Sequence, residues 1–363
     1  MRKFKLLITL IFLTACTDFN NSYKGSEAKT LVKVINFKGY NSEYRGMGTK
    51  VGFDFYYSHD TTYLFYYSIL CDSVYVFNVD CDTLGSQSFA MVSNGDSSKV
   101  LTIRVLSKDS LLVMREKSIS IVNVYDEELY FSKTFSTGIS VLSNFTQPQI
   151  NSERDKIYCE LIQWNAPRLK SGFINTDLVF EVPIKDTISK SIPVKFPSGM
   201  DLLNANLMFY FTLTNNKIIQ SYSNSDTVDI FNLNSNKIYR KVLFSPELKR
   251  ENIKSNLKSL PDRSAIESVL NSYFYDIFTD EKSNIYRIQS LPLERRTKEG
   301  FLSSIEQKQF RILVYNTDLE LKKIIYPNYK GPIPRYFFVN NNNIYCLTHS
   351  GQSIMVYKIF DYE

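Results

Sequence analysis

Two histidines and a single tryptophan in 363 residues leave this chain short of the side chains on which much hydrolytic and metal-assisted chemistry depends. His59 stands in Tyr57-Ser-His-Asp-Thr61 and His349 in Thr348-His-Ser-Gly351, both sequences of turn character. No Gly-x-Ser-x-Gly elbow is present to seat the nucleophile of a Ser–His–Asp hydrolase. Gly46-Met-Gly48 with Gly52 lacks the strand–turn–helix setting of a phosphate cradle. Asp80-Cys-Asp82-Thr-Leu-Gly85 lacks the third oxygen ligand and closing Glu of a calcium loop, and reads as a turn. The sequence therefore assigns no catalytic residue, no metal ligand and no cofactor. Like charges are nowhere blocked together, which excludes a nucleic-acid surface.

Long apolar runs are missing too. The main one, Leu6 to Leu13, is well short of the ~20 residues of a membrane span. It follows Arg2, Lys3 and Lys5 and precedes small residues, which is the layout of a secretory signal peptide. The ending Leu13-Thr14-Ala15-Cys16 resembles a bacterial lipobox. That resemblance implies cleavage of residues 1–15, acylation of Cys16 and attachment to the cell envelope. Residues 16–28 then form a lipidated polar tether, and residues 29–363 a single domain. Thr17 after the cysteine, in place of Asp, points to the outer membrane of a Gram-negative envelope, with the side of that membrane left open. Loss of Arg2, Lys3 and Lys5 lowers the 43 basic residues to 40 against 37 acidic ones, a net charge of +3.

What the chain has in abundance is strand formers, with 25 Tyr and 26 Phe against 13 Gly and 11 Pro. An alternating segment recurs as Ser73-Val-Tyr-Val-Phe-Asn78, Ser118-Ile-Ser-Ile-Val-Asn123, Thr227-Val-Asp-Ile-Phe-Asn232, Arg311-Ile-Leu-Val-Tyr-Asn316 and Ser353-Ile-Met-Val-Tyr-Lys358, with a degenerate copy at Asp177-Leu-Val-Phe-Glu-Val182. An Ile-Tyr strand precedes several copies, as in Lys156-Ile-Tyr-Cys159, Asn284-Ile-Tyr-Arg287 and Asn343-Ile-Tyr-Cys346. Most intervals between copies are near the ~40–50 residues of a four-stranded propeller blade. The longest interval holds helical spacing over about 245–271, with Ser245 as cap and Pro246 in the first turn, and reads as a small helical insertion. The expected fold is all-β: a β-propeller of six four-stranded blades. The chain stops after the third strand of the sixth copy, so Thr30 to Phe37 is expected to supply the missing outer strand and close the ring. A two-sheet sandwich explains neither the period nor that terminal pairing.

The lipobox, the Asn-, Tyr- and Lys-rich strands and the weak Ile-Tyr repeat together resemble uncharacterised bacterial lipoproteins with a six-bladed propeller, of domain-of-unknown-function type. The resemblance implies a fold and a location and carries over no catalytic residue.

The expected fold sorts the remaining residues. Cys159 and Cys346 occupy equivalent places in opposed blades, too far apart for a disulfide. Cys71 and Cys81 bracket one extended strand, about 20 Å long. All four are expected to be unpaired, and mostly buried. His59 and His349 fall on opposite faces and cannot share a metal. The face built by d–a and b–c loops gathers Tyr44, Arg45, Trp164, Arg168, Tyr329, Arg335 and His349, together with Arg295 and Arg296. Aromatic and Arg side chains are common binding anchors, so this is the expected ligand face. The expected function is that of a membrane-anchored, non-catalytic binding or assembly propeller for an envelope or extracellular protein or glycan. A carbohydrate-active or lactonase-like enzyme with an axial site is the alternative. Two or more converging carboxylates at the axial mouth would favour the enzyme, and a mouth lined by Tyr, Asn and Arg would favour binding.

Overall fold

The computed structural model describes residues 26–28, 31–36, 52–68, 73–79, 86–90, 100–126, 128–135, 139–141, 147–163, 179–185, 189–193, 209–246, 269–294, 303–304, 307–327, 333–334, 336–340, 343–347 and 353–358. Two short strands come first, β1 (Ser26–Ala28) and β2 (Leu31–Asn36). Four-stranded antiparallel meanders follow. Sheet one is β3 (Phe53–Ser58), β4 (Thr61–Ser68), β5 (Ser73–Asn78) and β6 (Ser86–Ala90). Sheet two is β7 (Val100–Val105), β8 (Ser110–Arg115), β9 (Ser118–Asn123) and β10 (Leu129–Thr134). Sheet three holds β11 (Ile139–Val141), β12 (Gln149–Ile150), β13 (Lys156–Gln163), β14 (Val179–Pro183) and β15 (Lys190–Ile192). Sheet four is β16 (Phe209–Thr214), β17 (Lys217–Tyr222), β18 (Thr227–Asn232) and β19 (Lys237–Val242). Sheet five is β20 (Phe274–Thr279), β21 (Ile285–Ser290), β22 (Phe310–Tyr315) and β23 (Leu321–Pro327), with β1 added in parallel beside β23. Sheet six is β24 (Tyr336–Asn340), β25 (Asn343–Leu347) and β26 (Ser353–Lys358), completed by β2.

The repeat seen in the sequence has a direct structural meaning: every copy falls on the third strand of its sheet, β5, β9, β14, β18, β22 or β26. Third strands are covered by neighbouring sheets on both faces, so β9 and β22 are buried at all six positions. A strand apolar on both faces is what such a position selects. Hairpin chemistry fixes the register. His59 and Asp60 between β3 and β4, and Asn215 and Asn216 between β16 and β17, all take positive φ, from 46° to 59°. Two consecutive left-handed residues make the tight turn whose twist matches paired strands. His59 is therefore a turn residue, exposed, with its Nδ1 2.7 Å from Ser58 Oγ.

Apolar clusters join each sheet to the next. Phe65, Val74, Val100 and Leu111 join sheets one and two. Leu112, Ile119, Ile157 and Phe180 join two and three, and Tyr158, Val179, Ile218 and Phe231 join three and four. Ile219, Ile230, Phe274 and Leu313 join four and five, and Ile288, Ile312, Phe337 and Ile344 join five and six. Phe53, Phe55, Tyr336 and Tyr345 return from six to one, so the circuit closes. The first strands face one another around the axis, since β3 neighbours β7 and β24, and β16 neighbours β12 and β20. Fourth strands lie outside, and β10 and β19 are exposed along most of their length. The molecule is an all-β propeller of small sheets.

The terminal strand lies where expected, with β2 antiparallel to β26 and Val34 opposite Met355. Two features were not foreseen. β1 adds a parallel strand outside β23. The inner strand of sheet three is split, β11 and β12 both pairing with β13 at different heights. The helical insertion expected over about 245–271 lies largely outside the described residues. On its flanks only Val269 and Leu270 are helical, so no helical element is described there.

Candidate functional site

Of the expected ligand face, Tyr44, Arg45, Trp164, Arg168, Tyr329, Arg335 and His349 all lie outside the described residues, as do Arg295, Arg296 and the lipidation residue Cys16. The chemistry that is described sits on the axis. Inner strands contribute polar side chains there: Asp54 from β3, Arg104 from β7, Gln147 just before β12, Tyr210 from β16, Asp276 from β20 and Tyr336 from β24.

Asp54 is 1% exposed and fully engaged. Its Oδ2 accepts from Val105 N at 2.6 Å, and its Oδ1 accepts from Phe55 N at 2.9 Å and from the Tyr336 hydroxyl at 2.6 Å. Arg104 Nη1 stands 3.5 Å from the same Oδ1 and donates to Gln147 Oε1 at 2.9 Å. Gln147 Oε1 is also 2.8 Å from the Tyr336 hydroxyl, and Gln147 Nε2 donates to the carbonyls of Phe53 at 2.7 Å and Ile103 at 3.3 Å. One amide thus ties sheets one, two, three and six. Burial opposes the Arg104 charge, yet Asp54 and the Tyr336 hydroxyl outweigh it and hold the guanidinium above its ordinary pKa. Burial, then the Asp54 charge, pushes Tyr336 far up, so this hydroxyl stays protonated and donates. Tyr210 is pushed up by burial and then by the Asp276 charge.

Beside this ring lies a cavity of about 70 Å³, room for several waters or a group of a few heavy atoms. Its lining includes the polar residues Arg104, Gln147, Gln149, Thr212, Asp276 and Tyr336, and the aromatic residues Phe211, Phe278, Phe337 and Phe338. Phe278 stacks on Tyr286 at 5.3 Å and Phe338 on Phe55 at 5.3 Å. Arg104 is among the residues lining the cavity, and its side chain is 31% exposed. Gln149 Nε2 donates to Gln147 O at 3.2 Å, and its oxygen accepts nothing from the described residues. The arrangement can donate and accept hydrogen bonds. Among the described residues no group of three His, Cys, Asp or Glu side chains is placed to share a metal. Cys159 and Cys346 are buried and unpaired, as expected of them, with burial raising both thiols. Cys71 and Cys81 lie outside the described residues.

No protein-family model matches the chain, and no curated protein matches it in sequence. Solved structures do. A member of the DUF4221 family from Bacteroides vulgatus superposes with a TM-score of 0.64 at 15% identity, over 92% of this chain and 97% of that one. The likeness is one of fold. The calcium-binding protein regucalcin from Agrobacterium tumefaciens matches with a TM-score of 0.48 at 9% identity, over 87% of this chain and 93% of its own. A gluconolactonase from Xanthomonas campestris matches at 0.45 and 10% identity, over 85% of each chain.

The axial residues lie on inner strands, away from the loops that carry the Trp, Arg and His residues of the expected ligand face. A signal was present: Asp54 within Phe53-Asp-Phe55 and Asp276 within Tyr275-Asp-Ile277 are charges inside otherwise apolar strands. A charge in such a position needs partners, and partners make a site candidate.

Proposed function

We propose that this chain is an exported lipoprotein, held through Cys16 at the outer membrane of a Gram-negative envelope, whose propeller binds an envelope or extracellular protein or glycan without transforming it. In this reading the six sheets are six blades of one ring, closed by β2 from the N-terminal end of the chain. The observation that carries the binding role is the axial cavity, lined by Arg, Gln, Tyr and Phe residues. Concave, mostly apolar sites with a few fixed polar groups are the usual form of ligand sites. The lipobox ending Leu13-Thr14-Ala15-Cys16 supports the location.

A carbohydrate-active or lactonase-like enzyme is the second reading, favoured by the two buried axial carboxylates. Against it stands the engagement of Asp54, whose oxygens take hydrogen bonds from Val105, Phe55 and Tyr336. A carboxylate so engaged is a poor general base.

The test is membrane fractionation and protease shaving of cells expressing wild type or Cys16→Ser. The lipoprotein reading requires the wild type in the membrane fraction and the variant released from it. Equal distribution of both defeats it. Shaving from intact cells assigns an extracellular partner, and protection assigns a periplasmic one.

A further inference from the structure

We infer that the outer side of sheets four and five is a membrane-docking surface, which lays the propeller on its rim against the phospholipid bilayer. This rests on the lipid anchor of the reading above and names the surface through which the anchored protein meets its membrane.

The large apolar side chains that are exposed among the described residues fall into two groups. Ile238, Tyr239, Val242 and Phe244, on β19 and just after it, are 45–62% exposed. Tyr125, Leu129 and Tyr130, on β10 and the turn before it, are 36–56% exposed. Their charged neighbours differ in sign. β19 carries Lys237, Arg240 and Lys241 and no acidic residue, whereas Asp126 and Glu128 lead into β10. Arg240 is paired at 2.7 Å with the buried Asp229, which leaves the two lysines of β19 to meet headgroup phosphates. Around β1 and β23, Lys322 and Lys323 stand against Glu27, Asp318 and Glu320. Lysines alone would guard an outer strand against pairing with another chain. Large apolar side chains between them add nothing to that protection. An interfacial surface needs both, apolar groups at the acyl boundary and long cationic side chains reaching to the phosphates.

The anchor selects the same group. β1 is the outermost strand of sheet five, with Ser26 opposite Ile325 of β23. β19 is its neighbour on the rim: Lys241 Nζ donates to Asp318 O at 2.5 Å, and the Tyr315 hydroxyl donates to Phe244 O at 2.9 Å. Cys16 precedes Ser26 by ten residues, a reach of at most about 35 Å when extended. Acyl chains on Cys16 therefore enter the bilayer on the side of the molecule that carries β19. Sheet two lies across the circuit, separated from sheet five by two sheets in either direction, so the acidic group at β10 faces away from the lipid. Inner strands line the axis, so docking by outer strands keeps both ends of the axis clear of the bilayer.

The test is tryptophan quenching in the mature lipidated protein, reconstituted into vesicles of phosphatidylethanolamine and phosphatidylglycerol with brominated acyl chains. Trp164 is the sole native tryptophan, and its response in the wild type sets the background. Val242→Trp is expected to be quenched at least about twofold beyond that background, since an interfacial side chain lies at the acyl boundary. Leu129→Trp, on sheet two, is expected to add no quenching. Both positions are exposed, so both variants retain the fold. No added quenching for Val242→Trp in vesicles that carry the protein overturns the docking surface and leaves the lipid anchor standing. A response of Leu129→Trp equal to or above that of Val242→Trp does the same. Wild type that fails to float with the vesicles, as Cys16→Ser is expected to fail, overturns the anchor and this surface together.

Discussion

Asp54→Asn isolates the axial network, because the carboxylate there faces donors only. Val105 N–H points at Oδ2, while Phe55 N–H, the Tyr336 hydroxyl and Arg104 Nη1 surround Oδ1. Asparagine offers one oxygen and one NH2. With the NH2 at the Oδ2 place, Val105 loses its acceptor; with the NH2 at the Oδ1 place, Phe55 and the guanidinium face a donor. Either orientation leaves one buried donor unmet, about 1–3 kcal/mol, and converts the remaining bonds from charged to neutral acceptors, about 1 kcal/mol more. The Arg104 ion pair adds little, since that side chain is 31% exposed. The total is about 3 kcal/mol. Unfolding entropy of ~2.1 cal/mol/K per residue gives about 0.8 kcal/mol/K for 363 residues. Scanning calorimetry should then show Tm about 4 °C lower. Tyr336→Phe removes one of the same donors, so the double variant should fall short of the sum by about 1 kcal/mol. A Tm within 1 °C of wild type for Asp54→Asn, or strict additivity with Tyr336→Phe, would refute the network as drawn.

Three other outcomes follow from the same structure. Arg287 is fully buried, stacks 3.3 Å over the Phe274 ring, and donates to Ser221 Oγ at 2.9 Å and to the carbonyls of Tyr222, Ser225 and Asp226. Arg287→Met should cost about 3 kcal/mol or more in urea unfolding, because those carbonyls lose their donor, and a loss under about 1 kcal/mol contradicts this. Burial lowers the Lys308 amine to about 7 from 10.5. Between those values the unfolded chain binds the extra proton, so this residue makes stability rise with pH. The Tm difference between wild type and Lys308→Met should therefore climb from pH 7 to pH 9.5, and a flat difference contradicts the burial effect. Cys159 and Cys346 are buried with raised thiol pKa values, so iodoacetamide should leave both unmodified in native protein and label both in urea, as read by peptide mass spectrometry. Labelling of either in the native state within minutes argues against the packing of its sheet.

Third strands were legible in the sequence because sandwiching between neighbours forces apolar residues onto both faces, and that constraint repeats with every sheet. Ser118-Ile-Ser-Ile-Val-Asn123 and Arg311-Ile-Leu-Val-Tyr-Asn316 carry it plainly. The pairing of β2 with β26 was legible from the missing fourth strand at the C-terminal end. The split of the inner strand in sheet three was not, because β11 and β12 are three and two residues long and show no period. The axial contacts were illegible for another reason. Tyr336 meets Asp54 across 282 positions of sequence, and Gln147 meets Phe53 across 94. Such proximities follow only from how many sheets close the circuit and how far each inner strand is shifted along the axis, which no local pattern encodes.

Stability alone does not explain a polar axis. The circuit is already closed by apolar clusters between every neighbouring pair of sheets. A buried ion pair seldom stabilises more than well-packed apolar groups of the same volume, since desolvation offsets its attraction. Inner strands with Leu or Val at the places of Arg104 and Asp276 would keep the same antiparallel ladders, and only at Asp54 would backbone N–H groups, those of Val105 and Phe55, lose their acceptor. What an apolar axis would not offer is a guanidinium held by Asp54 and Gln147 in the lining of a cavity. Fixing a donor in advance lowers the ordering cost of binding, and that gain appears only when a ligand arrives. The orientation contacts also explain why the ring spans several sheets: a guanidinium held by one sheet would shift with it, whereas one held by Asp54 and Gln147 from its two neighbouring sheets is positioned by the ring as a whole. Replacing Gln147 by Leu should therefore weaken any axial ligand more than it lowers Tm, because it frees Arg104 while the apolar clusters stay intact. A parallel loss of both in titration and calorimetry would return the polar axis to a purely structural role.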